Sequence, residues 1–131
     1  MGPPLRILVV EDEFLLAADL ADRLEAAGYA VAGPASSVRV ALETIAADPP
    51  DAAILDIQLT DGKSFPVAQR LAELGRPVVF LTSFGRDVLP DDFKQAPHIS
   101  KLDPPGDLLA ALRTALERHG SVAGHTPKVE P

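Results

Sequence analysis

Short, nearly uninterrupted apolar runs alternate along this chain with stretches whose apolar residues recur every three or four positions. That alternation restricts the fold more than any other feature of the sequence. Residues 5–10 form one such run, of the kind a strand shows when both of its faces are buried. From Glu13 to Ala27 the period changes: Leu16, Leu20 and Leu24 share a stripe, Asp19, Arg23 and Glu25 lie off it, and Gly28 is a stop signal. Residues 29–32 read as a second strand closed by Gly33 and Pro34, and Ser36 or Ser37 caps a helix that buries Val38, Ala41, Leu42 and Ile45. A third strand at 52–55 follows Pro49 and Pro50. A third helix begins after Asp61 and Gly62 and runs to about Leu74, with Pro66 tolerated only in its first turn. Residues 78–81 read as a fourth strand. The segment 85–97 holds Pro90 and Pro97, and its Val88, Leu89 and Phe93 support at most a short helix. A fifth strand is then compressed into 98–100. Asp103 and Pro104 read as cap and first turn of a last helix that buries Leu109, Leu112 and Leu116 and ends at Gly120.

Five strands alternating with helices predict one doubly wound α/β domain with a five-stranded parallel sheet. It is expected over residues 5–119, after a short extension at 1–4 and before a flexible tail at 120–131. With 131 residues there is room for one ordinary domain. The formal net charge of -7 argues against direct nucleic-acid binding driven by counterion release. Without cysteine, disulfides, thiolate catalysis and cysteine-held zinc are excluded. No apolar run approaches the roughly 20 residues of a membrane span, so a cytoplasmic location without membrane attachment is expected.

In open α/β sheets functional groups gather beyond the carboxyl ends of the strands. Here the first strand ends in Glu11, Asp12 and Glu13, the third in Asp56, and the fourth in Thr82 and Ser83, while Lys101 follows the fifth. Taken singly, Asp56 reads as a loop or cap carboxylate, Thr82 and Ser83 as polar strand ends, and Lys101 as a solvated surface lysine. Together they suggest more. Clustered carboxylates repel unless a cation or proton intervenes, and hard oxygen donors suit Mg2+, which keeps several waters and needs few protein ligands. A hydroxyl, a backbone N–H and an ammonium at the same rim can bind the oxygens of a phosphoryl group.

With ILVVEDE ending the first strand, ILDIQL ending the third, the Thr82–Ser83 pair and the later Lys101, the chain resembles the receiver domain of two-component response regulators over about residues 5–119. The stretch FPVAQRLAELGRPVVFLTSFGRDVLPDDFKQAPHISK resembles an atypical, often stand-alone subgroup in which Phe-x-Thr-Gly/Ser-aromatic-Gly follows strand four and the fourth helix is short or mobile. Phe80, Thr82, Ser83, Phe84 and Gly85 match it. The resemblance implies a flavodoxin-like topology and the role of phosphoacceptor for Asp56, with a histidine kinase or phosphotransfer protein as donor. It implies Mg2+ ligation by Glu11, Asp12, Asp56 and the Gln58 carbonyl, and phosphoryl contacts from Thr82, the Ser83 N–H and Lys101. Such a domain catalyses its own aspartyl phosphorylation, and Gln58 and Phe84 occupy the positions that tune dephosphorylation. Output through a downstream protein is implied, on a surface near 85–97, the fifth strand and the last helix, which also serves pairing of two copies.

The chain departs from the family pattern in three places. Leu102 stands where a proline usually follows the conserved lysine, which predicts a trans Lys101–Leu102 bond and leaves the reach of Lys101 open. His98 stands at the usual switch aromatic, so it reads either as a half-buried residue at the edge of the fifth strand or as a modified switch moving with Thr82. Thr60 replaces a common loop proline. Two other functions fit the same residues: a receiver-like interaction module working without phosphorylation, and a small Mg2+-dependent phosphohydrolase. Gln58 stands against the hydrolase, because aspartate-nucleophile hydrolases normally keep a second aspartate at that position.

Overall fold

The computed structural model describes residues 2–83 and 89–119. Among the described residues, seven strands and four α-helices follow in the order β1 (Arg6–Val10), α1 (Phe14–Ala26), β2 (Ala30–Ala35), α2 (Val38–Ala47), β3 (Ala52–Asp56), β4 (Gln58–Leu59), β5 (Gly62–Lys63), α3 (Phe65–Glu73), β6 (Val78–Thr82), β7 (His98–Ser100) and α4 (Pro105–Arg118). Between β6 and β7 the described residues include one 3-10 turn, Asp91–Phe93. Five strands make one parallel sheet in the order β2-β1-β3-β6-β7, and β4 and β5 form a small antiparallel hairpin. This is the doubly wound sheet that the alternation predicts. Among the described residues no helix is long and apolar enough to cross a membrane.

Side chains alternate across the sheet with the two-residue period of a strand. Leu8, Val10, Ala53, Leu55 and Phe80 face one side, where Ala41 and Ile45 of α2 and Val67, Ala68 and Leu71 of α3 cover them. Ile7, Val9, Ile54, Val79 and Leu81 face the other, against Leu20 and Leu24 of α1 and Leu108, Leu112, Ala115 and Leu116 of α4. All five residues of β3 are buried, as are four of the five in β1, which is why both read as unbroken apolar runs. In α4 the fully covered stripe includes Leu108, while Leu109 is only partly buried.

Several boundaries differ from the sequence expectation, each for a physical reason. β2 does not stop at Gly33 but continues to Ala35. It is an edge strand, where proline's missing donor is tolerated. Gly33 has φ +85°, and a Cβ there would lie 2.7 Å from the Ala35 nitrogen and 3.1 Å from the Val9 carbonyl, so only glycine fits so close to β1. The β4–β5 hairpin precedes α3, which leaves Pro66 in the first turn of that helix. Ser37 is the cap of α2, its Oγ accepting the Val40 N–H at 3.1 Å. α4 begins one residue later than expected, with Pro104 at the cap position. The Asp103 carboxylate instead accepts the Ser100 N–H at 3.0 Å and closes the turn after β7.

α4 is held by its apolar stripe, so its packing has a measurable consequence. Replacing fully buried Leu112 with alanine is expected to lower unfolding stability by about 2–5 kcal/mol in urea melts. Leu102→Ala, at an exposed position, should change it by less than about 0.5 kcal/mol.

Candidate functional site

β1, β3 and β7 deliver four side chains to one rim of the sheet. β1 pairs directly with β3, so Glu11 and Asp12, just past Val10, emerge beside Asp56 at the end of β3. The Glu11 backbone is held from the other side, its N–H donating to the Ala35 carbonyl at 3.0 Å. This bond exists only because β2 runs on past Gly33. Glu11 and Asp56 are almost completely buried, at 2% and 4% exposure. One carboxylate oxygen from each of Glu11, Asp12 and Asp56 falls within 4.8 Å of the others.

Lys101 joins the cluster from the opposite edge. β7 pairs with β6, and the Lys101 N–H donates to the Thr82 carbonyl at 2.9 Å, extending the ladder by one bond. The turn that follows is pinned by the Asp103 carboxylate and by the Leu102 N–H donating to Ser100 Oγ at 3.1 Å. The Lys101–Leu102 peptide is trans, the cis bond among the described residues being Gly33–Pro34. With that backbone the ammonium reaches the acids: Nζ donates to Asp56 Oδ2 at 3.0 Å and to Glu11 Oε2 at 3.3 Å. It also lies 3.1 Å from Glu11 Oε1, out of hydrogen-bonding alignment, and 3.7 Å from Glu13 Oε1.

Burial is the main influence on Glu11 and pushes its carboxyl up to about 7. The Glu13 N–H that donates to Glu11 Oε2 at 3.0 Å opposes this, the charge of Asp56 adds to it, and Lys101 opposes it again. For Lys101 burial works to lower the pKa, but hydrogen bonding to Asp56 and the charges of Asp56 and Glu11 outweigh it and hold the ammonium above its ordinary value. Three converging carboxylates form a hard, oxygen-rich donor set that fits a divalent cation keeping several waters, so these residues suit Mg2+.

The other expected site residues are placed less uniformly. Thr82 is buried beside the cluster, but its hydroxyl is turned toward the Ile99 carbonyl at 3.4 Å. Ser83 is exposed directly after it. Gln58 is exposed in β4, and its side chain folds back to donate to the Leu59 carbonyl at 3.1 Å. His98 stands apart. It opens β7 opposite Phe80, at the far end of that strand from Lys101, and it is exposed rather than half-buried because β7 is the outer strand. Phe84 and residues 85–88 lie outside the described residues, as does the expected tail at 120–131.

Asp61 has a role that the sequence did not suggest, while Glu13 lies at the rim as its sequence position implied. Glu13 stands near the Lys101 ammonium. Asp61 does more than turn the chain: its carboxylate accepts the N–H groups of Val38 and Arg39 at 2.8 and 3.2 Å, capping α2 from a loop remote in sequence. The first of these bonds is the main reason its carboxyl is held below its ordinary value. Only a general taste of aspartate for helix starts hinted at this, and it gave no partner.

The site is thus an acidic trio and a lysine converging beyond β1, β3 and β7 of a parallel five-stranded sheet. The sequence pattern of the response regulator receiver domain matches residues 7–112, and the chain belongs to that family. It is 31% identical over 119 residues to the transcriptional regulatory protein PdtaR of Mycobacterium tuberculosis, covering 88% of this chain and 58% of the relative. It is 36% identical over 88 residues to the sensory transduction protein LytT of Bacillus anthracis, covering 65% of this chain and 36% of LytT. The chain thus spans between about a third and three-fifths of the length of these relatives. Among solved structures, SdrG from Sphingomonas melonis superposes with a TM-score of 0.77 at 37% identity, covering 89% of this chain and 99% of SdrG. The PhyR stress response regulator gives 0.73 at 30% identity, covering 88% of this chain and 46% of PhyR.

The raised Glu11 carboxyl sets a pH dependence whose sign follows from linkage. Between the ordinary value of 4.5 and about 7 the folded state holds a proton that the unfolded state has lost. Without divalent cation, stability should therefore fall by on the order of 1–3 kcal/mol as pH rises from about 5 to about 8, read from urea midpoints. Glu11→Gln should flatten that slope.

Proposed function

We propose that the chain is a phosphorylation-dependent receiver in which Asp56 takes a phosphoryl group from a phosphohistidine of a histidine kinase or phosphotransfer protein. The observation that carries the reading is the convergence of Lys101 Nζ, 3.0 Å from Asp56 Oδ2, with the carboxylates of Glu11 and Asp12 at the carboxyl ends of the central strands. Membership of the receiver family supports it.

An oxygen of Asp56 attacks phosphorus, the O–P bond forms as the P–N bond to the donor imidazole breaks, and the electron pair of that bond returns to the imidazole. Magnesium held by Glu11, Asp12, Asp56 and the Gln58 carbonyl would neutralise charge on the transferred phosphoryl oxygens. Lys101 is already hydrogen-bonded to Asp56, so its ammonium needs little rearrangement to meet charge moving onto those oxygens. Thr82 turns its hydroxyl from the Ile99 carbonyl to a phosphoryl oxygen, and the Ser83 N–H donates to another. His98, far from the cluster and exposed, takes part as a switch only through movement of β7 as a whole. The matches at Phe80, Thr82, Ser83, Phe84 and Gly85 support a reading within the atypical subgroup, with output to a downstream protein by direct contact.

Intact mass after incubation with Mg2+ and a small acyl-phosphate donor tests the chemistry. One phosphoryl addition is expected, absent without Mg2+ and absent in Asp56→Ala. Lys101→Ala should slow the addition by about 10²-fold or more, the scale of losing one preorganised charge. Failure of the native chain to label from a phosphorylated histidine kinase under rapid quenching would leave the phosphorylation-independent module as the better reading.

A further inference from the structure

The loop after β3 is a miniature hairpin. β4 and β5 contribute two residues each, Gln58 pairing with Lys63 and Leu59 with Gly62 around Thr60 and Asp61. A lone two-stranded hairpin is marginal in water, so its course is set by contacts outside its own ladder. At the base the Ser64 N–H donates to the Ile57 carbonyl at 2.9 Å. In the middle, buried Leu59 lies in the same apolar cluster as Ala41 and Ile45 of α2. At the tip, the Asp61 carboxylate bridges to the start of α2.

The contact at the tip completes a divided helix cap. A helix leaves its first N–H groups without partners inside the helix. In α2 these belong to Val38, Arg39 and Val40. Ser37 Oγ accepts the Val40 N–H at 3.1 Å, Asp61 Oδ1 the Val38 N–H at 2.8 Å and Asp61 Oδ2 the Arg39 N–H at 3.2 Å. The first turn of α2 has no acidic residue of its own, so Asp61 supplies the negative charge that a helix start favours. One half of the cap is therefore local, and the other comes from the loop that carries Gln58. Loss of either half uncaps part of α2, but only loss of Asp61 also releases the hairpin.

We propose that Asp61 is a positioning residue for the cation: by binding the start of α2 it fixes the hairpin that presents the Gln58 carbonyl to the acidic rim. This rests on the receiver reading above, in which that carbonyl joins Glu11, Asp12 and Asp56 around Mg2+. Asp61 is not one of the three clustered acids, so it acts through Gln58 and not on the ion itself. The ligand atom is a backbone oxygen, which no side-chain rotamer can aim. Only the course of the hairpin aims it. The Gln58 side chain gives no help, because its amide is folded onto the Leu59 carbonyl at 3.1 Å. Glu11 and Asp56 are set by β1 and β3, whereas the carbonyl belongs to a loop, and a ligand ordered in advance spares the cation that ordering. Gly62, at φ +135°, turns the chain back directly after Asp61, a conformation that suits glycine.

The test compares Asp61→Ala, Asp61→Asn and Ser37→Ala with the native chain by backbone NMR, with and without Mg2+. Both alanine variants should speed hydrogen exchange of the first-turn amides of α2. Only Asp61→Ala should also speed exchange of the Ser64 amide without metal. It should weaken Mg2+ binding about tenfold, the scale on which residues that orient a metal's ligands act. Asp61→Asn keeps an acceptor for the Val38 N–H and drops a screened charge, so its Mg2+ affinity should stay within about threefold of native. Unchanged Mg2+ affinity in Asp61→Ala overturns the proposal and leaves the receiver reading standing. An equal loss in Ser37→Ala also overturns it, by making the effect one of helix stability, and an equal loss in Asp61→Asn does so by making it one of charge. A Ser64 amide unmoved in Asp61→Ala removes the tether whether or not metal binds. A native chain that binds no Mg2+ overturns the receiver reading itself, and this proposal with it.

Discussion

Two almost fully buried carboxylates, Glu11 and Asp56, share one rim with Asp12, and the contact of Lys101 with the buried pair makes that arrangement tolerable. Charges taken out of water are costly unless they are paired and hydrogen-bonded, and like charges together cost more. The lysine arrives from an edge strand of only three residues, so its position depends on the β6–β7 register and on the turn that Ser100 and Asp103 close. Glu11 depends in turn on the far edge, because β2 must continue past Gly33 for the Ala35 carbonyl to accept its N–H. A cluster of four side chains is therefore held by both edges of the sheet at once.

At the carboxyl pole of the sheet, acids gather and one carboxyl is pushed up to about 7. On the proposed chemistry a phosphoryl group adds negative charge at this pole and Thr82 turns toward it. Asp61 ties the loop after β3 to the start of α2.

Much of this was legible before any coordinates. The buried strands announced themselves as apolar runs, and even the three-residue β7 was bounded correctly, by Pro97 before it and Lys101 after it. Other features were not legible because their cause is not local. Gly33 and Pro34 look like a strand end, and only the approach of β1 shows that they lie within a strand. Two-residue strands such as β4 and β5 carry no periodicity to read. Asp103 had two competing uses, as helix cap or as closure of the β7 turn, and the turn won.

The amino-acid sequence by itself determined the alternation of elements, the sheet class and the identity of the acids, hydroxyls and lysine at the strand ends. Those follow from local periodicity and from which residues stop an apolar run. Tertiary structure alone decided that Lys101 reaches Asp56 across a trans bond, that His98 stands away from the cluster, and that Asp61 caps α2 from a loop remote in sequence. Each of these depends on strand order and register, which bring together residues far apart in the chain, and no local pattern encodes the distance between them.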